Sequence, residues 1–130
     1  MLDRLQFPAV ADKRLFERHL RRVLGREARR ADWGTGRGHR IEYRFSVEQL
    51  RFRLEGQVLR VTCEASGALP KGRKARTRIS FGGHVGERRR LVQQVLGVVA
   101  RGVITRLAEL ERVRRGQLRK LRVLTPTGSD

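Results

Sequence analysis

The chain has one cysteine, Cys63, so no disulfide can form within it, and paired CxxC ligands of a zinc site are absent. A lone thiol with no bridge is the usage of a reducing compartment, and the expectation is a cytoplasmic location. Met1 to Phe7 lacks the basic-then-apolar order of a secretory leader. The longest apolar run, Val95 to Ala100, falls far short of the roughly 20 residues that span a bilayer, so no transmembrane segment is expected. Aromatic residues make up only 5% of the chain, which leaves few rings for stacking on bases. Acids are scarce as well: 13 stand against 31 lysines and arginines, for a formal net charge of +18. Only four of those bases are lysine (Lys13, Lys71, Lys74 and Lys120). The arginine fork matches phosphate oxygens in pairs, where an ammonium is a point charge. Such an excess repels itself unless an anion neutralises part of it.

What is present is enough for one core. At 130 residues with 38% hydrophobic content, the apolar positions are periodic, and a single domain over 1–124 with a disordered tail at 125–130 is expected. Leu2 to Phe7 reads as a short first or edge strand ended by Pro8. Asp12 then suits the N-cap of a helix carrying Phe16, Leu20, Val23 and Leu24, with Gly25 placed to end it.

Strand patterning is clearest in the middle of the chain. Ile41, Tyr43 and Phe45 alternate with polar residues; the phase breaks; Leu50, Phe52 and Leu54 alternate again. A hairpin loop at Ser46 to Gln49 would produce that break. A two-residue turn at Gly56-Gln57 would set Leu54 opposite Leu59, Phe52 opposite Val61 and Leu50 opposite Cys63, apolar against apolar throughout. Thr77, Ile79 and Phe81 give a further strand. From about Glu87, apolar residues recur at three and four through Leu110, which predicts a long helix to about Leu118. The fold class is therefore α+β: an antiparallel β-meander packed on a long C-terminal helix, with a short N-terminal strand and helix.

Assigning the apolar face of the meander to the core fixes the other face. It holds Arg40, Arg44, Arg51, Arg53, Arg60, Arg76 and Arg78, together with Glu42, Glu55, Glu64, Thr62 and Ser80. Arg53 falls opposite Arg60, a like-charge pair that costs stability unless an anion lies over it. Two further clusters add to the candidate anion-binding set: Lys71, Arg73 and Lys74 in a Gly- and Pro-containing loop, and Arg88 and Arg89 where a helix N-terminus already favours an anion. The strand aromatics point inward, so contact with phosphates rather than with bases is expected. Three readings stay open. The face is a solvated ladder neutralised by its glutamates, a surface for nucleic acid or another polyanion, or a dock for an acidic protein. Self-association is compatible with each.

No catalytic or cofactor-binding constellation emerges. His19, His39 and His84 are scattered, without metal-ligand spacing, and Cys63 points inward. Gly34-Thr35-Gly36-Arg37-Gly38 has the glycine density of a phosphate loop but neither the GKS/T ending nor GxGxxG spacing. Trp33 reads as a cap over the open end of the core, with base stacking the lesser alternative. The order of elements, Leu2 to Phe7, Asp12 to Leu24, the strands between Arg40 and Phe81 and the helix from Glu87, resembles the START-like helix-grip (polyketide cyclase/dehydrase-like) superfamily. That resemblance implies a cavity between sheet and helix for a small apolar or lipid-like ligand, and transfers no site residues.

Overall fold

The computed structural model describes residues 1–34 and 41–124, with side chains through Gln117. Strand β1 (Leu2–Gln6) leads into helix α1 (Lys13–Arg30); strands β2 (Tyr43–Glu55), β3 (Val58–Ala68) and β4 (Lys74–His84) follow, and helix α2 (Arg88–Leu124) closes the order. The sheet runs β1-β2-β3-β4, with β2, β3 and β4 antiparallel and β1 parallel to β2. The α+β class is as expected. The sheet is mixed, because β1 returns to it through α1, the crossover that a parallel pair requires. The expected tail at 125–130 lies outside the described residues.

The turn at Gly56-Gln57 sets the register read from the sequence: Leu54 pairs with Leu59, Phe52 with Val61, Leu50 with Cys63 and Arg53 with Arg60. Gly56 has φ +62°, which glycine adopts at no steric cost. The hairpin expected at Ser46 to Gln49 does not exist. β2 runs through it as one strand of 13 residues, and the register slips between Val47 and Gln49. A β-bulge at Glu48 breaks the phase just as a loop would, since one extra residue turns every later side chain to the other face.

α1 does not end at Gly25 but continues to Arg30. Asp12 does occupy the position before the helix, at φ +63°, but its carboxylate caps no helical N–H. It is drawn instead to the start of α2, as described below.

Both helices cover one face of the sheet. Along α2, Val92, Val95, Leu96, Val99, Val103 and Leu107 are wholly buried, packed on β3 and β4 on one side and on α1 on the other. Phe16, Leu20 and Leu24 of α1, with Tyr43, Phe45 and Val61 of the sheet, complete the core. By length and composition the segment Val85–Gln117 is apolar enough to cross a membrane, with a window of mean hydropathy 1.3, and 56% of that window is buried in the fold. Counting unbroken apolar runs missed it. Its single charges, such as Arg101, interrupt a run without cancelling the mean. The close approach of α2 depends on small residues beneath it. Ala65 and Ala75 are buried, and a Cβ on Gly67 would stand 2.5 Å from Cγ1 of Val103.

Candidate anion-binding face

Strand alternation turns the opposite face of the sheet outward, and pairing sorts its side chains into rows. Arg4, Arg44, Ala68 and Lys74 form the first row across the four strands; Gln6, Ser46, Ser66 and Arg76 form the second. Gln49, Glu64 and Arg78 come next, then Arg51, Thr62 and Ser80, then Arg53, Arg60 and Gly82. Because β2 is one continuous strand, Arg44 and Arg53 lie about 30 Å apart along it, at roughly 3.3 Å per residue. The face is thus a long basic track rather than a compact cluster.

The carboxylates neutralise only part of it. Arg53 pairs with Glu55 at 3.0 Å, while Arg76 lies 3.5 Å from Glu48 and 3.9 Å from Glu64. Among the described residues, Arg4, Arg44, Arg51, Arg60, Lys74 and Arg78 have no carboxylate partner. All six are exposed. Thr62 donates to Ser80 at 3.0 Å in the middle of the track.

The other members of the expected set separate. Arg40 lies outside the described residues. Arg73 is not available to an outside anion: its Nη1 donates to the carbonyl of Leu110 at 2.6 Å, tying the β3–β4 connection to α2. Lys71 lines the cleft beside it, with Glu42 and Glu111, away from the outer face. At the start of α2 the anion is internal. Asp12 accepts the fork of Arg89 at 3.1 and 3.2 Å and lies 3.6 Å from Arg88, whose guanidinium stacks over Phe52 at 4.5 Å. Asp12, far from these arginines in the chain, is brought there by tertiary folding. Near the far end of α2, Glu111 holds Arg114 at 2.6 Å and Arg115 at 3.0 Å. Burial would raise the Glu111 carboxyl, but the two guanidinium groups outweigh it and hold it below the ordinary carboxylate range.

Trp33 is a cap and not a stacking platform. It is buried against Tyr43, with ring centroids 6.4 Å apart, and its Nε1 donates to the Ala28 carbonyl at 2.8 Å. His84 accepts the Gly86 N–H at 3.0 Å in the turn before α2, and His19 lies 3.3 Å from the Gln93 carbonyl between the helices. Among the described residues no three His, Cys, Asp or Glu side chains are grouped to hold a metal.

Two groups give direct checks on this geometry. Burial pushes the Cys63 thiol up to about 12, with Glu64 adding to the effect. A maleimide at pH 8 is therefore expected to leave Cys63 unlabelled in the folded protein and to label it fully in denaturant, as read by mass spectrometry. His19 is held below its ordinary value, first by burial and then by Arg22 and Arg26. Its unfolded form takes up a proton more readily than the folded one, so it favours folding above the unfolded value near 6.5. That contribution should fall away as pH drops below 6.5. Denaturant melts at pH 7.5 and 5.5 should show a smaller acid loss in His19→Gln than in the parent.

No protein-family model matches the chain, and no curated protein matches it. Among solved structures it is similar to a "putative lipoprotein" from Caulobacter crescentus CB15, at 11% identity over 88% of this chain and 90% of that one, with a TM-score of 0.45. It is also similar to a minor lipoprotein from Acinetobacter baumannii, at 17% identity over 89% and 94%, with a TM-score of 0.34. At these figures neither a fold nor a site is carried across. The cytoplasmic expectation is withdrawn. Both neighbours are described as lipoproteins, and a single cysteine excludes an internal disulfide without fixing a compartment.

Proposed function

We propose that this chain is a non-enzymatic binder of polyanions, nucleic acid foremost, which lies along the outer face of the sheet and is held through its phosphates. The carrying observation is the row of exposed bases, Arg4, Arg44, Arg51, Arg60, Lys74 and Arg78, that the described carboxylates leave unneutralised on one continuous track. An uncompensated line of guanidinium groups gains most from a ligand whose charges are also in line, because each contact releases condensed counterions. The aromatics β2 and β4 contribute lie on the inner side, so the track reads charge and spacing rather than base identity.

The test is salt dependence. With about six phosphate contacts, affinity for a fluorescent oligonucleotide should fall on the order of a thousandfold between 50 and 200 mM salt. Affinity that is indifferent to salt would overturn the reading.

A further inference from the structure

The track is not uniform along its length. Over its first two rows, long bases stand on β1, β2 and β4, while β3 contributes only the small side chains of Ser66 and Ala68 to the outer face. The result is a groove of about 520 Å³ in the outer face, with Arg4, Arg44, Lys74 and Arg76 around a floor of small residues. That volume is in the range that holds a compact ligand. Three of the four bases, Arg4, Arg44 and Lys74, have no carboxylate partner among the described residues. The fourth is held by Glu48, the bulge residue, at 3.5 Å; Glu48 also accepts from the Ser66 hydroxyl at 2.7 Å.

We infer that this groove is a seat for a phosphate monoester, the terminal phosphate of a nucleic-acid strand whose remainder lies along the track. The inference deepens the proposed function and rests on it for the polymer, but not for the phosphate. The argument is one of charge. An internal phosphodiester carries a single negative charge, which one guanidinium satisfies. A monoester carries close to two and presents three free oxygens. Arg44 and Lys74 flank Ala68, whose methyl group leaves both side chains room to lean toward each other, and Arg4 closes the groove on the side of β1. Among the described residues no other row of the face places three uncompensated bases together. The β-bulge supplies the counterweight: Glu48 sits on the rim as a resident anion and opposes the arriving one.

Binding of one oligonucleotide sequence should be compared in three forms, with a 5′-phosphate, with a 3′-phosphate and with hydroxyl ends. A preference of about tenfold is expected for a phosphorylated end, the effect of one to two added charge-assisted hydrogen bonds. Arg44→Ala with Lys74→Ala should abolish that preference, and Glu48→Gln should increase it several-fold, a gain that loss of structure cannot mimic. Inorganic phosphate should compete for the phosphorylated form first. If all three forms bind equally, the seat is wrong and the polyanion reading stands. If no form binds while phosphate still shifts the amide resonances of Arg44 and Lys74 in the parent, the polymer reading is wrong and the seat stands.

Discussion

Replacing Arg53 and Arg60 together by glutamate is expected to lower affinity for nucleic acid by about a hundredfold at 50 mM salt through charge reversal on the track, and to reduce the salt slope by about one for the phosphate contact of Arg60, Arg53 being already held by Glu55. Both side chains are exposed, and the two residues face each other across β2 and β3. Reversing both keeps a like-charge pair in place and gives up only the exposed Arg53–Glu55 ion pair, so the cost to the fold should stay within about 1 kcal/mol. The single exchange Arg60→Glu separates the two effects: it places opposite charges across the strands and leaves the Arg53–Glu55 pair intact, which should stabilise the fold by a few tenths of a kcal/mol while it weakens binding. Thermal melts and fluorescence anisotropy on the same samples read both. Unchanged binding in the double variant would remove this end of the track from the interface.

The second large effect is on stability. Gly67→Ala should destabilise by about 1–3 kcal/mol, which lowers the melting temperature by roughly 5–10 °C in a domain of this size. In a strand, exchange of glycine for alanine would otherwise be favourable, so the sign is diagnostic. The new Cβ would stand 2.5 Å from Cγ1 of Val103 and 2.9 Å from Cδ1 of Leu107, both on the buried helix α2. Both side chains are wholly buried in the core, so neither can move aside into solvent. Val103→Ala in the Gly67→Ala background should recover part of the loss, as measured in a double-mutant cycle. Additive losses would mean that α2 does not rest on β3 as described.

Much of the face was legible because strand alternation is local. Arg51, Arg53, Arg60, Arg76 and Arg78 follow from period two plus one turn, and Gly56 marked that turn. The bulge was misread as a loop because both shift the phase by one residue. The sign that separates them was available: Ser46, Val47, Glu48 and Gln49 include no glycine, proline or asparagine, and Val47 is apolar. The mistake mattered for function, since a hairpin would have folded Arg44 back beside Arg51 and made a patch of what is a track. Arg4 and Gln6 were missed altogether. Their alternation with Leu5 and Phe7 was visible, but nothing in a parallel pair separated by a helix and some 40 residues announces its partner.

The sequence by itself determined the alternating strands, the register of the β2–β3 hairpin, the apolar stripe of α2 and the excess of arginine. Each of these rests on spacing between neighbours in the chain, and the pleat and the helical turn convert such spacing directly into faces. Which arginines remain free was decided only by the tertiary structure. Asp12 reaches Arg88 and Arg89 across 76 and 77 residues, Arg73 turns to Leu110, and β1 brings Arg4 beside Arg44. An ion pair forms wherever folding brings opposite charges within a few ångströms, and that distance has no counterpart in sequence separation.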